Sequence, residues 1–133
     1  MLTVLNKENQ IARSFRLGIG LIEGYEEGRT LHKPEEVGEI VARWLLEQRK
    51  CGRIYLPGSI TKSKMYYYGR TSGSLIVEPV VFYDGEVSPE YNAQLTDEEV
   101  ISTLQELAEL LSTKLGQKRI YLRYNGVFRI LQR

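Results

Sequence analysis

The chain has 133 residues, 42% hydrophobic and 26% charged, an ordinary globular composition that excludes a disordered polymer. Eighteen Lys and Arg against seventeen Asp and Glu leave a net charge of +1, so no global field draws it to nucleic acid or to an anionic membrane. A single cysteine, Cys51, and a single histidine, His32, exclude an intramolecular disulfide and argue against a Cys/His metal site, so no metal or cofactor is expected and a reducing cytoplasm is the expected compartment.

Residues 1–10 lack the basic and apolar regions of a signal peptide, and no apolar run approaches the ~18 residues of a membrane span. One domain over 1–133 is therefore expected, with no membrane segment. In chain order, Phe15, Leu17, Ile19 and Leu21 alternate with Ser14, Arg16, Gly18 and Gly20, a period of two that predicts a strand with one apolar face. Glu23 to His32, with Gly24, Gly28 and the cluster Glu23, Glu26 and Glu27, predicts a polar loop. Pro34, Glu35 and Glu36 open a helix, because proline at the first turn loses no hydrogen bond and carboxylates suit the positive end of the dipole. Val37, Ile40, Val41, Trp44 and Leu45 share its inner side, and Gly52 ends it.

Arg53 to Tyr68 reads either as one strand broken at Pro57-Gly58 or as a strand followed by the first arm of a hairpin closed over Gly69 to Gly73. Leu75 to Tyr83 is a nearly unbroken apolar run that predicts a central strand covered on both faces, with a bulge or strand end at Pro79. Asp84-Gly85 and Ser88-Pro89 mark a loop to Leu95, after which Thr96 and Glu99 fit a capping box. The second helix carries Val100, Ile101, Leu104, Leu107, Ala108 and Leu111 on one stripe and stops at Gly116. Arg119 to Ile130 predicts a last strand with Ile120, Leu122, Tyr124 and Phe128 on one side and Arg119, Tyr121, Arg123 and Arg129 on the other, and a turn or bulge at Asn125-Gly126. The order β-α-β-β-α-β is the α+β ferredoxin-like sandwich, an antiparallel sheet with two helices on one face.

Lys114 to Arg123 resembles the helix-to-last-strand junction of a family of uncharacterised small bacterial proteins, although Leu115, Lys118 and Arg119 depart from that family's run. The Pro57-Gly58 turn and the apolar Leu75 to Tyr83 strand are similar too, and the resemblance implies a ferredoxin-like fold without an assigned role. Val41 to Cys51 is similar to the first helix of the CutA cation-tolerance proteins, trimeric and ferredoxin-like, with the spacing around Cys51 differing by two residues.

For function, charge layout is the informative feature. Arg49, Lys50, Arg53, Lys62, Lys64 and Arg70 lie among tyrosines without an intervening acid, and Lys118, Arg119, Arg123, Arg129 and Arg133 follow Gly116 in the same way. With strand order 4-1-3-2, Arg119, Tyr121 and Arg123 stand beside Arg16, Gly18 and Gly20 on the helix-free face, a basic, aromatic-edged floor. These six are the candidate ligand-binding residues. The glycines lie inside a strand, which does not fit a dinucleotide fingerprint and points instead to close approach of another surface. A subunit interface or a solvated edge, with the arginines paired to Glu78 or to the acidic helices, ranks ahead of a small anionic ligand, and nucleic acid ranks last. His32 has no orienting carboxylate predicted beside it, Cys51 is expected buried and inert, and Glu26/Glu27 and Glu35/Glu36 are expected to be solvated. The expectation is a non-enzymatic binding or regulatory module that self-associates through its sheet; the alternatives are a small enzyme with a pocket on the open sheet face, or an anionic-ligand or RNA-binding domain.

Overall fold

The computed structural model describes residues 1–5, 11–23, 30–92 (91 by its backbone only) and 94–133. Gly24, Glu26, Glu27 and Gly28 of the predicted loop, and positions 6–10, lie outside the described residues. The elements are β1 (Ser14–Gly20), α1 (Pro34–Lys50), β2 (Ser59–Tyr68), β3 (Leu75–Glu86), the one-turn α2 (Pro89–Asn92), α3 (Asp97–Leu115), β4 (Arg119–Tyr124) and β5 (Val127–Gln132). They build one antiparallel sheet of order β2-β3-β1-β4-β5 with the two long helices on one face, an α+β fold of order βαββαββ. The expected 4-1-3-2 order is thus present, extended by a fifth strand.

The alternation in β1 does what a period of two requires. Phe15, Leu17 and Ile19 are buried between Val81 and Tyr83 of β3 and Ile120, Leu122 and Tyr124 of β4, under Val37, Val41 and Trp44 of α1 and Val100, Leu104, Leu107 and Leu111 of α3. Each such side chain contributes roughly 1.5–3 kcal/mol by leaving water. Thr96 accepts from the Glu99 N–H at 3.1 Å while the Glu99 carboxylate accepts from the Thr96 N–H at 3.1 Å, the expected capping box, and Gly116 closes α3.

Three expectations are corrected. The last strand is two strands: Asn125 (φ 46°) and Gly126 (φ 89°) form a two-residue hairpin turn, pairing Tyr124 with Val127. The reversal moves Phe128 opposite Arg123 on the open face and Arg129 opposite Leu122 on the helix side, where its guanidinium donates to Gln105 of α3 at 2.6 Å. Second, β3 runs unbroken through Pro79, and the predicted loop at Asp84-Gly85 is strand. Pro79 accepts at its carbonyl from the Leu21 N–H, so its ring nitrogen faces the side on which β1 has just ended and no ladder bond is missing. Third, β3 is not covered on both faces. It pairs with β1 only from Val80 to Glu86 but with β2 from Leu75 to Asp84, so Leu75 to Pro79 and Lys64 to Tyr68 project as a two-stranded arm with Tyr66, Tyr68, Leu75 and Val77 exposed.

Candidate functional site

The helix-free face is ordered by strand register, since residues directly opposite one another share a face. One row reads Asp84, Arg16, Arg123, Phe128 across β3, β1, β4 and β5; the next reads Phe82, Gly18, Tyr121, Ile130. Of the six residues singled out in the sequence, Arg16, Gly18, Tyr121 and Arg123 therefore stand together. Gly20 and Arg119 occupy the far end and are engaged there: the Gln117 side-chain oxygen Oε1 lies 3.1 Å from where a Gly20 Cβ would sit, and Arg119 Nε donates to the Gln132 side-chain oxygen at 2.7 Å.

Arg16 is fixed twice. Its Nε donates to Asp84 at 2.5 Å, and its guanidinium lies over the Phe82 ring, 4.4 Å from the centroid. The ring in turn covers Gly18, whose Cβ would lie 3.2 Å from Phe82 Cε1 and 3.6 Å from Tyr121 Cβ. The close approach at Gly18 is thus made by its own sheet neighbours. Tyr121 stacks on Phe128 with centroids 6.1 Å apart and planes 13° apart, and Arg123 sits 6.0 Å from the Phe128 centroid. Among the described residues Arg123 has no carboxylate within ion-pair distance. At the end of these rows an open cleft of about 350 Å³ is lined by Ser14, Phe15, Arg16, Asp84, Arg123, Asn125 and Gly126.

Sequence reasoning missed Asp84, Phe82 and Phe128. Asp84 was hidden by its turn-like Asp-Gly pair, Phe82 by an apolar run with no alternation to assign its face, and Phe128 by the uncounted hairpin reversal. The basic stretches also divide in three dimensions. Arg133 donates to Glu109 at 2.8 Å and to Ser112 at 2.7 Å, Lys62 pairs with Glu35 at 3.7 Å, and Arg49 lies over Tyr55 at 5.3 Å, all away from the cleft.

Two further expectations change. Cys51, at the C-cap of α1, is exposed. His32 does have carboxylates beside it: Nδ1 lies 2.6 Å from Glu36, one helical turn on, and Nε2 lies 3.2 Å from Glu23, brought close by the Ile22–Leu31 bridge. Its side chain is only 11% exposed. Burial works against the imidazolium, but the hydrogen bonds to Glu36 and then Glu23 outweigh it and hold the His32 pKa above its ordinary value; the same bond holds Glu36 below the usual carboxylate range. Glu36 is therefore engaged rather than merely solvated. Among the described residues no group of three or more His, Cys, Asp and Glu is placed to hold a metal ion, and no helix is long and apolar enough to cross a membrane.

No protein-family model matches the chain, and no curated relative does. Its fold is similar to that of a phage SAM lyase in complex with S-methyl-5'-thioadenosine, with a TM-score of 0.68 and 16% identity over 98% of this chain and 97% of that one. The apo state of a phage SAM lyase matches with a TM-score of 0.63 and 16% identity over 100% of this chain and 96% of the other. This likeness overturns the resemblances to the small bacterial family and to CutA, which rested on a helix, a junction and a turn that the ferredoxin-like plan shares widely. It also overturns the non-enzymatic module self-associating through its sheet, because the neighbours matched over nearly the whole length are of an enzyme. At this level of identity what the chain shares with phage SAM lyase is the fold, from the first strand to the last.

Proposed function

We propose that the protein is a small enzyme that cleaves S-adenosylmethionine, releasing S-methyl-5'-thioadenosine, with its site on the open sheet face. The observation carrying this is the full-length fold likeness to a SAM lyase holding that thioether, together with a cleft whose chemistry suits the substrate. Release of the thioether breaks the bond between the sulfonium sulfur and the amino-acid chain; the bonding pair goes to sulfur, which leaves neutral, and the carbon it leaves takes its new bond from the substrate's own carboxylate oxygen, closing a lactone without an outside nucleophile. Such a substrate offers a flat purine, a sulfonium cation and a carboxylate. The open face offers the stacked pair Tyr121 and Phe128 for a ring or cation, and Arg16 and Arg123 for an anion. The small anionic ligand read from the sequence becomes, in this proposal, the carboxylate end of the substrate.

A cytoplasmic location fits the same reading, since the exposed lone thiol of Cys51 suits a reducing compartment. A homo-oligomer stays in the proposal on different grounds from before: the exposed Tyr66, Tyr68, Leu75 and Val77 of the β2–β3 arm form an apolar surface of the kind that partners cover. The decisive experiment is incubation of the purified full chain with S-adenosylmethionine, followed by chromatography of the adenosyl species. Loss of substrate matched by S-methyl-5'-thioadenosine is expected; substrate left intact at micromolar protein overturns the proposal.

A further inference from the structure

Resting on that reading, we infer that Asp84, Arg16 and Arg123 are a receptor for the zwitterionic α-amino-acid head of the substrate, with the stacked pair Tyr121 and Phe128 at the β4–β5 end taking the adenosyl part. The row carries one negative charge on β3 followed by two positive charges, on β1 and β4, and the register holds them in line at strand spacing, about 4.8 Å. Among the described residues only one of the two cations, Arg16, has a carboxylate partner. Arg16 spends its Nε hydrogen on one oxygen of Asp84 and lies over Phe82, which leaves its terminal N–H groups to a ligand in the cleft that Arg16 and Arg123 both line. An α-carboxylate between Arg16 and Arg123 answers the unpaired cation, and the adjacent ammonium reaches the second oxygen of Asp84. Asn125 and Gly126 of the β4–β5 turn and Ser14 line the same cleft, and the Ser14 hydroxyl donates to the Glu86 carboxylate at 2.8 Å.

The three charged residues lie on β3, β1 and β4 of a row that ends on Phe128, with Tyr121 one step along the strands, so the head and the ring fall on different side chains. A ligand without the head should not sense the row. S-adenosylhomocysteine and S-methyl-5'-thioadenosine make that comparison, because both are thioethers with the same nucleoside and neither carries the cleavable sulfonium.

The experiment is calorimetric titration of the full chain, as wild type, Arg123→Gln and Asp84→Asn, with each of the two thioethers, alongside thermal melts to confirm folding of the exposed-site variants. Removing a charge-assisted partner is expected to weaken S-adenosylhomocysteine roughly tenfold or more while leaving S-methyl-5'-thioadenosine within about twofold. Equal weakening of both ligands in Arg123→Gln, or none of either, overturns the head-group receptor and leaves the substrate reading standing. Wild-type protein that binds neither ligand removes the substrate reading itself, and the receptor with it.

Discussion

The hydroxyl of Tyr124 donates to the carboxylate of Asp97 at 2.6 Å, tying the end of β4 to the first turn of α3. Arg13, just before β1, completes a triangle by donating its Nε hydrogen to Tyr124 at 2.8 Å and its terminal nitrogen to Asp97 at 2.9 Å. The Tyr124 hydrogen bond, and then that of Arg13, holds the Asp97 carboxyl below its usual range. A depressed carboxylate stabilises the fold above its unfolded value, about 3.9, and that contribution is lost as pH falls through the folded value. Acid unfolding of Asp97→Asn is therefore expected to show a shallower loss of stability below pH 4 than wild type. Tyr124→Phe should cost about 1 kcal/mol in urea denaturation at neutral pH.

His32 gives the opposite sign. Its folded pKa is raised, so its contribution is complete below the unfolded value, about 6.5, and is lost as pH rises through the folded value. The groups around it are Glu23 and Glu36, with Lys33 and Lys62 lining the same surface depression as His32, distinct from the Arg16–Arg123 cleft. Urea midpoints measured between pH 6 and 9 should fall for wild type and stay flatter for His32→Gln. A parallel decline in the two proteins would show that His32 does not carry the charge.

Gly18 is fixed by the Phe82 ring above it. Gly18→Ala requires the ring to move by a few tenths of an ångström, whereas Gly18→Val has to displace it, at about 1–3 kcal/mol. Near-neutral unfolding of the valine variant would mean that the ring does not rest there. In the functional reading the valine variant also loses more affinity for S-adenosylhomocysteine than the alanine variant, since Arg16, which takes the head group, is clamped on the same ring.

At Gly126, φ of 89° is a conformation that an L side chain resists. Gly126→Ala is expected to destabilise the β4–β5 hairpin by about 1 kcal/mol or more and to loosen the wall of the cleft that Asn125 and Gly126 form. Amide hydrogen exchange localised to β5 would report the hairpin directly.

On the arm, Tyr68 and Leu75 face one another and both are exposed. If the arm is where copies meet, sedimentation velocity of Tyr68→Lys/Leu75→Lys should shift to a smaller species than wild type at the same concentration. Identical sedimentation of the two would remove the arm from the proposal.

The sequence by itself determined the two long helices, the apolar face of β1 and the side of β4 that carries Arg119, Tyr121 and Arg123. Each follows from local periodicity, caps and the burial of one stripe, information contained within a dozen residues. It left open where β2 begins, and it misplaced Phe128 and Asp84. A two-residue turn reverses every face beyond it, and an Asp-Gly pair reads as a turn until a neighbouring strand shows that it is paired. The cleft belongs to the tertiary structure: Arg16, Asp84 and Arg123 are far apart in the chain and meet only through the register of three strands, and only Phe128 reaches Arg123 locally, across the β4–β5 hairpin. Long-range pairing of this kind is set by how the core closes over the helices, which no local pattern encodes.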